Sequence, residues 1–510
     1  MRKIERREFI KLAGTGAGAI LASGLFHDRL LAGELPPAGA SLWDDRFGVS
    51  REVMAEVLRS ALSKGGDFAD LFFEYKILVN VTMEDDIIRQ SSESVIRGVG
   101  IRVLKGRQTG FGYTSSLIPE SMNRAALTAA AIASSGVKVR PPDIRERRPD
   151  KQVYLLEKLF TDAPLEDRLA LVKEAYSATL AYDKRIVKAI VRLNDEMQYV
   201  TIVNSEGLMI SDARPQVRLY VTAIAQEGQG RSTGNSSAAG RVGYTFFRRP
   251  GSTPKETGQK AAQEAIALLT AVNPAVGEQP VVLGGGAGVM IHEAVGHPLE
   301  GEGIWRKTSI VWDKFGQMVA NPAVTIYEDA TLPELRGSLN IDDEGTPTRR
   351  TMMIEKGKLA GFLLDRLSAG ILGLEPNGHG RRDSYRSFPL CRMTNTILAK
   401  GEASPEDILK TVKKGFYAVA YEGGVVGSNG QFTFSVHLGY LIEDGRLTRP
   451  VKNATLIGAN LQVLKDIELV GNDQHGDYFK GVCLRGGQSA AVTGVTPTFK
   501  IRQMTIGGRL

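Results

Sequence analysis

Only two cysteines, Cys391 and Cys483, occur in 510 residues. A disulfide framework is therefore excluded, and stability rests on packing with at most a single bridge left open. Aromatic residues make up 7% of the chain, and no cluster of Lys and Arg alternates with them. The formal charge of +7 thus reads as a solvated basic surface and excludes a nucleic-acid partner. Histidine is scarce as well, with six in the whole chain. Beyond the N-terminal segment, no stretch is long and apolar enough to span a bilayer. The remaining composition, 42% hydrophobic and 24% charged, is that of an ordinary globular protein, which excludes collagen-like and disordered chains. At about 150 residues per domain the length predicts roughly three domains.

The front of the chain reads as an address. Arg6 and Arg7 precede Phe9, Ile10 and Lys11, an apolar run extends over 12–26, and Ala38-Gly39-Ala40 supplies small residues for cleavage. This is the form of a twin-arginine export signal, assigned to residues 1–40. The apolar run is about 15 residues, short of the roughly 20 that a comfortable membrane span needs. The expectation is export to the periplasm or beyond, with no stable membrane span after signal removal; an uncleaved N-terminal anchor is the plain alternative. Twin-arginine export carries folded passengers, which suits a metal loaded before crossing.

Downstream, the period of apolar residues predicts an α+β chain. Val53, Val57, Leu58 and Leu62 recur at helical spacing until Gly65-Gly66, after which 71–83 and 98–113 alternate as strands with a hairpin turn at 105–107. Pro119 opens an Ala-rich helix to about residue 134, and the Pro-rich, charged 139–151 reads as an exposed connector. A second helix at 165–182, strands at 186–203 and 217–226, and a third helix at 257–269 complete an N-terminal α/β domain over 41–275. A C-terminal, largely β domain over 276–510 is predicted to begin with Val281-Val282-Leu283, with strands over much of 311–341, 351–364 and 432–442 and a helix at 405–414.

The sharpest feature is Ile291-His292-Glu293-Ala294-Val295-Gly296-His297. With so few histidines, a chance H-E-x-x-x-H occurs on the order of 0.005 times in such a chain. Two imidazoles suit zinc, and a carboxylate beside the first can act as a base toward water that the metal activates. The spacing is unusual: positions i and i+5 of a regular helix lie about 140° apart, so a straight helix cannot aim both rings at one ion. A π-bulge or loosened turn between Glu293 and His297 is therefore predicted, with Gly296 and Pro298 weakening regular helix there. Two histidines that merely flank a helix end are the bland alternative. The third ligand is left open among His475, Cys483, Glu300 and Glu302; read alone, Cys483 fits a small buried hydrophobe better than a ligand, and Cys391 reads as such a hydrophobe. The loop Gly284-Gly285-Gly286-Ala287-Gly288 lacks the third glycine of G-x-G-x-x-G and any following Gly-Lys-Ser/Thr, so it reads as a close backbone passage, a strand-pairing surface or plain helix–strand packing.

These residues together resemble the TldD/PmbA peptidases, in the TldD branch. The resemblance is carried by the glycine-rich stretch before His-Glu-Ala-Val-Gly-His, Leu299-Glu300-Gly301 after it, Gly380-Arg381-Arg382-Asp383-Ser384-Tyr385, Arg392-Met393-Thr394-Asn395-Thr396, and Cys483 followed by Gly487-Gln488-Ser489. It runs from about residue 65 onward and departs at Pro298, where many members have glycine, and at the export signal, since the family is mostly cytoplasmic. It implies Zn²⁺ held by His292, His297 and Cys483, Glu293 as general base, an N-terminal α/β domain joined to a largely β metallopeptidase domain, and unfolded peptides or small labile proteins as substrates. It also implies a dimer, either a homodimer or a heterodimer with a PmbA-type subunit. Two rival readings are a cysteine hydrolase with Cys483 as nucleophile and His475 or His437 as base, and a non-catalytic metal- or peptide-binding subunit of such a complex.

Overall fold

The computed structural model describes residues 46–132, 143–154, 156, 159–427, 429–473 and 479–508. The expected signal over 1–40 and His475 lie outside the described residues. The first half is built on one sheet of seven strands: β1 (Phe68–Glu84), β2 (Ile87–Lys105), β3 (Gln108–Thr114), β4 (Arg145–Arg147), β5 (Ile186–Asn204), β6 (Leu208–Glu227) and β7 (Gly230–Gly240). Their order is β3-β2-β1-β5-β6-β4, with β7 also on β6, and every pairing is antiparallel except β4 with β6. Alternation along β1 sends Leu71, Phe73, Ile77 and Val79 to one face, where four helices cover them. Helices Arg51–Ala61 and Pro119–Ala130 pack Met54, Val57, Leu58 and Met122 onto one end. Helices Leu165–Leu180 and Pro254–Leu269 pack Val172, Ala175, Ala261 and Ala265 onto the other.

The opposite face of that sheet is buried too, but by charge. Arg102 on β2 donates to Asp70 on β1 and to Glu344 at 2.6 Å. Arg214 on β6 donates to Asp212 at 2.9 Å, to Asp343 at 2.5 Å and to the carbonyl of Ile341 at 2.9 Å. The backbone N–H of Tyr385 donates to Glu74 at 2.8 Å. The segments 341–344 and 380–385 thus bind the C-terminal half to this polar sheet face, and each buried guanidinium in these contacts meets a carboxylate, as burial of charge requires.

The second half contains β8 (Gly277–Leu283), β9 (Ile326–Asp329), β10 (Arg350–Glu355), β11 (Lys358–Leu359), β12 (Gly380–Arg381), β13 (Leu390–Cys391), β14 (Asn395–Leu398), β15 (Lys414–Val426), β16 (Gln431–Glu443), β17 (Arg446–Val451), β18 (Ala454–Ala459), β19 (Ile467–Val470), β20 (Phe479–Arg485), β21 (Gln488–Val495) and β22 (Phe499–Gly508). One sheet has the order β11-β10-β9-β14-β21-β20, and β12 pairs with β13 alone. In the other, β15-β8-β22-β18-β16 is closed by pairing of β15 with β16, so five strands form a ring, flanked by β17 and β19. The architecture is mixed α/β, as expected, but several elements differ from the sequence reading. Strands over 311–341 were expected and only β9 forms there; the apolar residues Val311, Val319 and Leu339 bury in loops instead. The helix expected over 405–414 stops at Lys410, and β15 begins at Lys414. The stretch 351–364 contains β10 and β11 around a turn in which Lys356 and Gly357 take positive φ. β7 and the first half of β2 were not anticipated. The sequence of β7 is too small and polar to signal a strand, and residues 87–95 of β2 are mostly exposed on both faces.

Candidate metal centre

The end of β8, residues 281–283, is buried between β15 and β22 and delivers the chain into the site. Immediately after it, Gly284 donates its N–H to the carbonyl of Ala418 at 3.0 Å, and a short helix begins at Gly288. The glycine loop is a close passage: a Cβ at Gly288 would fall 2.3 Å from the carbonyl oxygen of Gly494 on β21, so backbone lies directly on backbone. The helix Gly288–Ile291 then widens into one turn of π-helix over His292–Gly296 and tightens to a 3₁₀ turn at His297–Leu299. The i→i+5 winding brings a residue five positions along back to the same side, which is the distortion the motif spacing demanded. The His292 and His297 rings lie 5.7 Å apart between centroids.

Cys483 reaches the same point from β20. One ligand atom from each of His292, His297 and Cys483 lies within 4.8 Å of the others, and Cys483 Sγ stands 3.3 Å from His297 Nε2. Two imidazoles and a thiol so disposed are a donor set that fits zinc. Glu293 Oε2 is 3.6 Å from His297 Nε2. Outer partners hold both rings by Nδ1, which assigns Nε2 to the cluster. His297 Nδ1 lies 3.2 Å from Glu300 Oε1, and Glu300 in turn accepts from Arg485 Nη1 at 2.5 Å. His292 Nδ1 lies 3.2 Å from Thr396 Oγ1, and Thr396 donates to Glu328, which also accepts from Thr394 N at 2.7 Å. The strand that carries the thiol is fixed by Arg392, whose Nη2 donates to the carbonyl of Cys483 at 2.5 Å.

Electrostatics separates the two imidazoles. Burial, with His297 and Arg392 nearby, pushes His292 well below the ordinary histidine range, so it is neutral, as a ligand must be. Burial also acts downward on His297, but the Cys483 and Glu300 contacts outweigh it and hold the ring up at about 10. Burial raises Glu293 above the usual carboxylate value, toward the range useful to a general base near neutrality. Glu293, His297 and Glu300 line a cleft of about 830 Å³, whose other walls include residues 422–426 of β15, Gly427 just after it, and Val482 and Leu484 of β20. An extended chain has room there.

Of the ligand candidates among the described residues, the structure brings Cys483 to the histidines and leaves Glu300 and Glu302 out. Glu300 binds the far nitrogen of His297, and Glu302 is engaged by Arg485 at 2.8 Å and Arg306 at 2.9 Å. His437, a candidate base in the cysteine-hydrolase reading, is held elsewhere by Glu422 at 2.6 Å, the Thr233 carbonyl at 2.7 Å and Glu264 at 3.1 Å. Cys391 is a buried free thiol whose Sγ donates to the Leu363 carbonyl at 2.9 Å, and no bridge joins it to Cys483. Sequence reasoning missed Thr396, Glu328 and Arg485. Thr396 lay within a quoted motif, but its link to a carboxylate depends on the pairing of β14 with β9.

Three family models match the chain: PmbA/TldA metallopeptidase domain 1 over residues 69–133, the central domain over 158–269 and the C-terminal domain over 276–508. A Haemophilus influenzae protein named metalloprotease TldD homolog is 35% identical, covering 87% of this chain and 93% of its own. A Saccharolobus solfataricus protein named zinc metalloprotease TldD homolog is 26% identical, covering 89% and 100%. Among solved structures, a Thermotoga maritima protein described as a candidate modulator of a DNA gyrase aligns with a TM-score of 0.73 at 25% identity, covering 89% of this chain and 99% of that one. TldE from Thermococcus kodakarensis has the same fold, with a TM-score of 0.69 at 22% identity and coverage of 89% and 100%.

Proposed function

From the PmbA/TldA metallopeptidase family, to which this chain belongs, we propose that it is a zinc-dependent peptidase that hydrolyses peptide bonds in unfolded peptides or small labile proteins. The observation that carries this reading is the meeting of His292, His297 and Cys483 beside Glu293 at the wall of an open cleft. His292, His297 and Cys483 hold the metal. When bound, zinc supplies Lewis-acid polarisation of the scissile carbonyl and acidifies water. The chain's own residues do the rest. Glu293 takes the proton from the attacking water and delivers it to the leaving amine nitrogen. Glu300 and the Thr396–Glu328 pair fix both imidazoles by Nδ1, and Arg392 fixes the strand of Cys483. The exposed Val482 and Leu484 offer apolar contact to an extended chain and no pocket for a folded one.

The proposal extends to partners and place. The family relationship and the TldE-like fold support a homodimer or a heterodimer with a PmbA-type subunit. Arg6 and Arg7 support twin-arginine export to the periplasm or beyond. Replacing both with lysine is expected to retain the protein in the cytoplasm, and unchanged export would remove that part of the reading.

The test is elemental analysis together with cleavage of an unstructured peptide by wild type, Cys483→Ala and Glu293→Gln. Wild type is expected to carry one zinc and to cleave, Cys483→Ala to lose the metal, and Glu293→Gln to keep it while turnover falls about 10²–10⁴-fold. A wild type that cleaves with no metal and is stopped by thiol alkylation would establish the cysteine-hydrolase alternative. Zinc without cleavage, alone or with a PmbA-type partner, would establish the non-catalytic one.

A further inference from the structure

On the polar face of the first sheet Arg102 and Arg214 are paired both within the sheet and across to the C-terminal half, and one corner differs. Arg241 and Arg336 are each only 4% exposed, and Arg218 is partly buried. None of the three forms an ion pair or a side-chain hydrogen bond among the described residues, and buried guanidinium nitrogens of all three have no partner: Nε and Nη1 of Arg241, Nε of Arg336 and Nε of Arg218. Ring faces lie beside two of them, Tyr154 at 6.0 Å from Arg241 and Tyr220 at 5.3 Å from Arg218.

The pairing register brings these cations together. Arg218 stands opposite Ala239 on β7, and Arg241 follows one residue beyond the end of that strand. Continuing the register sets Arg241 against Gln216, which itself stands opposite Glu196 on β5. Residues directly or diagonally opposed on one face lie within about 8 Å at Cβ, so long side chains there share space. The N–H of Arg241 donates to the carbonyl of Glu334 at 2.9 Å, and this pins the loop that carries Arg336 over the same corner. The acidic groups nearby do not neutralise it. Glu196 pairs with none of the three, and the Glu334 carboxylate is taken by Arg249. Each of the three arginines is held below its ordinary value, first by burial, and for Arg336 also by Arg218 and Arg241.

With Asp212 already paired to Arg214 and Glu196 pairing with none of the three, Arg218, Arg241 and Arg336 leave an excess of positive charge at this corner, which burial disfavours unless an anion is present. Guanidinium forks match the tetrahedral oxygens of phosphate two at a time. We propose that Arg218, Arg241 and Arg336 form a binding site for a doubly charged oxyanion of the phosphate class, which clamps the N-terminal sheet to the loop 334–338 of the C-terminal half.

The test uses thermal unfolding of the full chain, freed of metal so that phosphate bound to zinc contributes nothing. Inorganic phosphate, phenyl phosphate and acetate are compared in turn at matched ionic strength. Phosphate at saturation is expected to raise Tm by about 2 °C or more over acetate. The same increment is expected to vanish in Arg241→Gln and Arg336→Gln and to survive in part in Arg241→Lys. An equal shift with phenyl phosphate identifies a phosphate monoester as an admissible source, whereas a shift with inorganic phosphate alone identifies the free ion. If Arg→Gln variants do not fold, equilibrium dialysis of labelled phosphate against wild type and Arg241→Lys decides: saturable binding near one per chain that weakens at least tenfold in Arg241→Lys supports the site. No phosphate increment and no saturable binding in the wild type, or the same increment in Arg336→Gln, overturns it.

Discussion

On the proposed reading, the raised proton affinity of His297 predicts that zinc uptake depends steeply on pH. Its ring is held at about 10 against an ordinary value near 6.5, because Cys483 at 3.3 Å and Glu300 at 3.2 Å overcome the downward pull of burial. In metal-free protein this raised value contributes stability fully present below about pH 6.5 and lost as pH rises through 10. Metal binding works in the opposite sense, since the ion must displace the same proton from Nε2. Between pH 7 and pH 9 the apparent zinc affinity is expected to rise about tenfold per unit, about 100-fold in all, equivalent to about 2.7 kcal/mol. The assay is competition with a chelator of known pH dependence, corrected for buffer and hydroxide, or calorimetry in buffers of different ionisation enthalpy, which counts the protons released. Glu300→Gln sharpens the test because it separates two effects. Removing the carboxylate weakens proton competition and so flattens the slope, while the loosened ring costs about 10–100-fold in affinity at pH 9, where the proton matters less. A wild-type affinity that is flat from pH 7 to 9, with no proton released, would refute the argument.

Three further outcomes follow from other contacts. Gly288→Ala would drive a Cβ to 2.3 Å from the Gly494 carbonyl, so the metal helix must shift off β21; zinc affinity is expected to drop at least tenfold, measured by the same competition. Arg214→Leu leaves Asp212 and Asp343 buried without their shared cation and is expected to cost about 3–5 kcal/mol, read by denaturant titration as earlier separation of the two halves. Thr396→Val cuts the link from His292 to Glu328 without adding charge; in the cobalt-substituted protein the visible spectrum is expected to change while the fold, read by far-UV circular dichroism, does not.

The H-E-x-x-x-H motif was legible because a rare spacing conflicts with regular helix; a π-bulge or a loosened turn could reconcile the two, Gly296 and Pro298 marked the place, and the structure has the π turn. The glycine loop was legible only as a set of alternatives, and the contact of Gly288 with Gly494 selects the close passage. The ligand role of Cys483 could not be read from its neighbours in sequence, since a thiol flanked by Val482 and Leu484 is also how a buried strand residue looks. Glu328 was invisible for a different reason: its importance arises from the pairing of β9 with β14, and no local pattern encodes that pairing. The strand β7 was missed because its residues are small to fit a helix rather than to fill a core. A Cβ at Gly234 would sit 2.2 Å from the Ala261 carbonyl. Over 311–341 the opposite error arose, where apolar residues buried by distant contacts imitate a strand.

The ring of strands also sets a schedule for biosynthesis. β8, which feeds the metal helix, is sandwiched between β15 and β22, and Leu283 finds its antiparallel partner only in Phe499. His297 likewise meets Cys483 186 residues further along the chain. A ribosome that has delivered the histidines is therefore still far from delivering the thiol or the strand that seals the ring. The nascent C-terminal half must wait with β8 unpaired on one edge, a sticky state of the kind that chaperones shield. If the centre binds metal as proposed, capture is one of the last events of synthesis, and a chain cut short before β20 would have its histidines without Cys483 and its ring of strands open.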